Sequence, residues 1–173
     1  MSKTKETFNR IYGENVDKIY RFVYFKVSSA DIAEDISSEV FLRCWQVLNG
    51  DRTEIENPQA FLYQVARNLV VDHYREKART QIVSTESLPL SDPAENLQEA
   101  LFLNSDISLL EKALSGLNSQ YQEVLVWRYI EDYSISEMAK MLSLSEGAVR
   151  IKIHRALKSL KKSMGEKFAV ETS

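Results

Sequence analysis

The sequence predicts an all-α protein: two small helical domains joined by a flexible linker, the second containing a helix-turn-helix. Three observations predict it. Apolar residues recur at three- and four-residue spacing along most of the 173 residues, the period that lines one face of a helix. Five glycines and three prolines are few for this length, and no apolar/polar alternation of the strand type persists. One stretch, Thr80 to Asn96, lacks the helical repeat and holds Pro89 and Pro93 among Ser84, Thr85, Ser87 and Ser91, so it reads as a linker between domains 1–79 and 97–173.

Phe8, Ile11, Tyr12, Val16, Ile19, Tyr20 and Val23 form the first apolar stripe, with Gly13 an expected interruption, so that two helices or one kinked helix fit. The next helix runs from about Ala30 to Leu48. Asp31 and Glu34 are spaced as its capping box, and Ala33, Ile36, Val40, Cys44 and Val47 make its inner face. Phe41, Trp45 and Leu48 widen that stripe, and Gly50 ends it. Asn57 and Pro58 open the third helix, because the asparagine side chain accepts an orphan amide and proline has none to orphan. That helix should reach about Lys77. Its core residues are Phe61, Leu62, Val65, Ala66 and Leu69, which leaves Tyr63, Gln64, Arg67, Asn68 and Arg75 outside.

Beyond the linker, Leu97, Leu101, Leu109, Leu110, Ala113, Leu114 and Leu117 extend a helical repeat to a stop at Gly116. Ser119 to Gln122 is spaced as a capping box for a helix through Trp127 to about Ile130. Ser134 to Glu137 is another, opening a short helix with Ile135, Met138, Ala139 and Leu142 inside. Ser145 caps the last helix, whose inner face is Val149, Ile153, Ala156, Leu157 and Leu160, and the chain is expected to fray beyond about Gly165.

Composition bounds the function. No stretch is long and apolar enough for a membrane span, and Met1 to Glu6 lack the apolar core of a signal peptide, so a cytoplasmic protein is expected. Cys44 is the single cysteine and His73 and His154 the two histidines, which leaves no metal-ligand spacing and no internal disulfide. No Gly-rich phosphate loop and no nucleophile beside a base appears, so neither an enzyme nor a cofactor is expected. Net charge is −3, yet Arg150, Lys152, Arg155, Lys158, Lys161 and Lys162 run without a carboxylate between Glu146 and Glu166. The linker carries only acidic charge.

A short helix, a tight turn and a longer helix with a basic outer face is the pattern of a helix-turn-helix. If Val149, Ile153 and Ala156 are buried, helical geometry turns Ser145, Glu146, Gly147, Arg150, Ile151, His154, Arg155 and Lys158 toward any groove the helix enters. Arg150 is best placed to read a base, since arginine donates two parallel hydrogen bonds to guanine, while Lys158, Lys161 and Lys162 suit phosphates. Gly147 removes a side chain where a backbone must come close. On the third helix, amides and an aromatic near basic residues suit unstacked bases. Both faces also fit ordinary solvated helices, and a self-sufficient dimeric repressor is a further alternative.

Three blocks carry a resemblance: Ala33 to Trp45 (AEDISSEVFLRCW), Phe61 to His73 (FLYQVARNLVVDH), and Tyr121 to Arg128 together with Ser145 to Arg150 and His154-Arg155-Ala156. In this order they resemble bacterial sigma factors of the extracytoplasmic-function group, the small type with only the second and fourth conserved regions. The resemblance implies a subunit that binds core RNA polymerase and directs it to promoters, reading the minus-35 element as duplex and the minus-10 element as melted non-template strand. It implies that Asp35, Ser38, Glu39 and Phe41 meet the polymerase. Tyr63, Gln64, Arg67, Asn68 and Arg75, with the loop from Asn49 to Asn57, would serve the minus-10 element, and the outer face of the last helix the minus-35 element. It also implies an anti-sigma factor as partner, a monomer when free, action at the bacterial nucleoid, and a linker in the path of nascent RNA, though a plain solvated tether fits the linker equally. About 15 extended residues span roughly 50 Å. The chain departs from the family at Ser37-Ser38, where a glutamine is common before Glu39, at Phe61 for tryptophan, Asn118 for proline, Ser143 for a turn glycine, and Ile151 for a small polar residue.

Overall fold

The computed structural model describes residues 2–50, 54–83 and 105–171, with side chains placed over 2–50, 54–81 and 109–165. The expected linker core 84–96, and Leu97 and Leu101 after it, lie outside the described residues. The described residues are helical throughout their regular elements, and they fall into two compact units, divided near Leu90.

The first unit is three helices, α1 (Lys3–Val27), α2 (Ala30–Leu48) and α3 (Pro58–Val83), each packed on the other two. Gly13 does not interrupt α1. A glycine inside a helix costs only about 1 kcal/mol relative to alanine, less than the burial of Ile11, Ile19, Phe22 and Val23 returns. Two serines make the turn to α2. Ser28 takes the left-handed conformation (φ 54°) and its amide donates to the Tyr24 carbonyl at 2.8 Å, and then the Ser29 hydroxyl accepts from the Ile32 amide at 3.4 Å. The cap of α2 is therefore Ser29, not the expected Asp31. For α3 the expected cap holds, with the Ala60 amide donating to Asn57 Oδ1 at 3.1 Å. The helix continues past Lys77 to Val83, so positions 80–83 of the expected linker are helical. The Tyr74 hydroxyl donates to the Lys26 carbonyl and ties α3 to the end of α1.

Cys44 lies in this core, as its place on the α2 stripe predicts. Burial pushes its thiol from 9.0 up to about 11, because the thiolate loses solvation. The folded state thus favours the neutral thiol. The stability this contributes is full below the unfolded value and is lost as pH rises from near 9.0 to about 11. Urea midpoints should fall over that window more steeply in the natural chain than in Cys44→Ala, and thiol reagents should react with Cys44 only as the first unit unfolds.

The second unit contains α4 (Ser105–Ser115), α5 (Ser119–Leu125), a π turn over Val126–Ile130, α6 (Ile135–Leu142) and α7 (Glu146–Glu171). Asn118, not Ser119, caps α5, its side chain accepting from the Gln120 amide at 2.9 Å. The π turn closes with the Glu131 amide on the Val126 carbonyl at 3.0 Å, and Asp132 then turns the chain at φ 57°. Trp127, Tyr133, Met138, Val149, Ile153 and Ala156 fill the centre. The last helix does not stop near Gly165 but runs to Glu171.

Candidate nucleic-acid interface

The sharpest local geometry in the second unit is the turn between α6 and α7. The Ser134 hydroxyl caps α6 by accepting from the Glu137 amide at 3.0 Å. At the other end Leu144 donates its amide to the Ala139 carbonyl at 3.0 Å and Ser143 to the Lys140 carbonyl at 3.4 Å. That is the paired bonding of a Schellman stop, and it holds Ser143 in the left-handed region at φ 54°, a conformation that favours glycine. Two residues later the Ser145 hydroxyl accepts from the Ala148 amide at 3.1 Å and α7 begins. A stop and a start three residues apart leave the two helices no freedom to splay.

Burial of Val149, Ile153 and Ala156 against α5 and α6 turns the opposite side of α7 to solvent. Ser145, Glu146, Gly147, Arg150, Ile151, His154, Arg155 and Lys158 are all exposed, as predicted. Ile151 is 55% exposed, an apolar side chain set among basic ones. A Cβ on Gly147 would meet only Ser145 Oγ, at 4.0 Å, so nothing within the described residues calls for glycine there.

Leu157 and Leu160 depart from the prediction. They are exposed and half-buried, and with Leu110, Leu114, Tyr129 and Ile130 they border an open apolar groove of about 190 Å³. The sequence signals the stripe but not its width, because α4 and the π turn leave this end of α7 uncovered.

On α3, Gln64 and Asn68 are exposed and joined, Gln64 Nε2 donating to Asn68 Oδ1 at 3.1 Å. Arg67 Nη1 donates to Gln64 Oε1 at 2.9 Å, which fixes the amide's orientation. Arg75 is exposed seven residues beyond Asn68, on the same side of the helix. Tyr63 is the correction. It is 2% exposed and its ring meets Phe22 edge-on at 5.0 Å, so α1 claims the aromatic for the core and Tyr63 offers no stacking platform. Residues 51–53 of the Asn49 to Asn57 loop lie outside the described residues.

On α2, Asp35 and Ser38 are exposed, and Glu39 is held by Arg43 at 3.2 Å. Phe41 is a second correction: it is 4% exposed, with Tyr12 packed edge-on against it at 4.9 Å, so its ring shapes the surface from below and presents little of itself. Between α1 and α2 the structure opens a groove that the helical periods do not announce, since it depends on how two helices cross. Among the described residues no group of three or more histidine, cysteine or acidic side chains is placed to hold a metal ion, and no helix is long and apolar enough to cross a membrane.

Over residues 11–80 the chain matches the family model described as Sigma-70 region 2, and over residues 107–160 that described as Sigma-70, region 4. It is similar to the ECF RNA polymerase sigma factor BldN of Streptomyces coelicolor, 29% identical over 156 residues, which cover 90% of this chain and 59% of BldN. The chain thus spans less than two thirds of that relative's length. It is also similar to SigW of Bacillus subtilis, 29% identical over 158 residues, covering 86% of this chain and 83% of SigW. Among solved structures, the sigma factor RpoE in complex with the anti-sigma factor NepR from Bartonella quintana aligns with a TM-score of 0.64 over 92% of this chain and 98% of that one. At 18% identity that likeness is one of fold.

Proposed function

Since the chain belongs to the sigma-70 family, in its extracytoplasmic-function group, we propose that it is an alternative sigma factor which binds core RNA polymerase and directs it to promoters. The carrying observation is the outer face of α7, where a tightly held turn presents a basic row with one apolar member, Ile151. In this reading α7 enters the major groove of the minus-35 element. Arg150 reads a base edge, Ile151 meets a thymine methyl, and Lys158 holds phosphate, with Ser145, Glu146, His154 and Arg155 beside them.

The first unit takes the minus-10 element after the strands part. Gln64, Arg67, Asn68 and Arg75 offer amides and cations to an unstacked base and its backbone, a chemistry suited to single strands. Asp35, Ser38 and Glu39 on α2 are the polymerase contacts. The first domain, carried through α3 to Val83, and the domain 97–173, with 84–96 as tether, divide these tasks. The free chain is a monomer acting in the cytoplasm at the nucleoid, without cofactor or enzymatic activity. An anti-sigma factor as partner is supported by the RpoE structural neighbour, which was captured with one.

A net charge of −3 makes the division testable. Phosphate contacts supply most non-specific affinity, so the isolated chain should bind promoter duplex weakly and gain specific binding only with core polymerase. Run-off transcription with purified core enzyme on a genomic fragment library checks activity and reads the promoter motif together. Tight, sequence-specific gel shifts by the isolated chain at physiological salt, or no transcripts with core enzyme, would overturn the proposal.

Gly147 gives a narrower expectation. Gly147→Ala should leave the fold as stable or raise it by about 0.5–1 kcal/mol, since the added methyl meets only Ser145 Oγ. It should nonetheless weaken minus-35 binding by the holoenzyme, because the methyl stands where the sugar-phosphate backbone approaches. Thermal melts and holoenzyme gel shifts on the same preparation separate the two effects.

A further inference from the structure

The groove between α1 and α2 has a volume of about 340 Å³ and lies beside the surface read above as the polymerase contact, with Ser38 common to both. Its chemistry is specific. Asp17 enters from α1 and Glu34 from α2, and no lysine or arginine lines it, so phosphate and nucleic acid are repelled. Tyr12 and Phe41 form an aromatic wall, their rings edge-on at 4.9 Å. Ser37 also lines the groove. It is 6% exposed, and its hydroxyl has no hydrogen-bond partner among the described residues. A buried hydroxyl left unpaired is unfavourable, and a hydrogen-bonding partner brought from outside relieves it; a donor can do so because the hydroxyl oxygen accepts.

We propose that this groove seats the guanidinium of an arginine on the core polymerase, an inference that rests on reading α2 as the polymerase surface. A guanidinium meets all three features at once. Its plane lies against the Tyr12 ring as a cation–π contact, and its forked N–H groups donate to the Asp17 and Glu34 carboxylates and to Ser37 Oγ. The ammonium of lysine has no flat face to stack, and an apolar side chain would bury the carboxylates unpaired.

Fluorescence anisotropy of the labelled full chain with bacterial core polymerase tests this. Asp17→Asn combined with Glu34→Gln should weaken binding about tenfold or more, as loss of interfacial charge pairs does. Glu6→Gln combined with Glu14→Gln removes the same charge outside the groove and should leave affinity within about twofold of the natural chain. Ser37→Ala separates partner binding from folding. By removing an unpaired buried hydroxyl it should hold or raise the urea midpoint, yet weaken polymerase binding. If the natural chain binds core polymerase and both groove variants bind as tightly, the guanidinium inference is wrong and the polymerase reading stands. If the natural chain does not bind, the polymerase reading itself fails and takes this inference with it.

Discussion

Truncating Tyr63 to alanine should destabilise the first unit by about 3–5 kcal/mol, the range for removing a buried aromatic. The ring is 2% exposed and meets Phe22 at 5.0 Å, so its loss opens a cavity between α1 and α3. Against a total stability of roughly 5–15 kcal/mol for a domain, a loss of that size brings a domain at the low end of the range to the edge of unfolding. Tyr63→Phe keeps the ring and should lose no more than about 1.5 kcal/mol, the worth of one ordinary hydrogen bond. Urea denaturation followed by circular dichroism measures both. Transcription by Tyr63→Ala should fall in step with its folded fraction and return on cooling toward its stability maximum. A fully folded, transcriptionally dead Tyr63→Ala would instead place the ring against nucleic acid.

Arg150→Ala should have the largest effect of any surface change. Loss of a bidentate base contact costs about 1–3 kcal/mol of discrimination, or roughly 5- to 150-fold in affinity for the correct minus-35 element. The side chain is exposed, so the melting temperature should scarcely move. Asn68→Ala provides the opposite pattern: duplex binding by the holoenzyme is retained while strand opening, followed by permanganate reactivity of unpaired thymines, is impaired. The reason is local. Asn68 is exposed and joined to Gln64 and Arg67 on α3 of the first unit, whereas Arg150 belongs to α7 of the second. Equal losses in both assays from both variants would refute separate tasks for the two units.

At three helix starts the cap that the sequence indicates is the one used: Asn57 before Pro58, Ser134 before Ile135 and Ser145 before Glu146 each accept the expected amide. At two others a neighbouring cap residue is used instead. Ser29 prevails over Asp31, and Asn118 over Ser119, because packing decides how far the preceding segment runs. Gly13 was misleading for a related reason: its helical cost is small beside the apolar stripe that continues on both sides of it.

The exposed row of α7 needed no tertiary structure, because a 3.6-residue period with Val149, Ile153 and Ala156 on one side dictates which residues face away. By itself, then, the sequence determined the helices, the two-unit order, the short-helix, turn, long-helix arrangement and the exposed basic face. The positions near the edge of a stripe were different. Tyr63 and Phe41 sit where the period allows either burial or exposure, and only the neighbouring rings of Phe22 and Tyr12 settled them inside. Leu157 and Leu160 went the other way: among the described residues, α4 and the π turn border them without closing over them. The groove of Asp17, Glu34 and Ser37 likewise exists only once α1 and α2 cross. A helical period fixes direction around one axis, whereas burial depends on what a second axis brings against it.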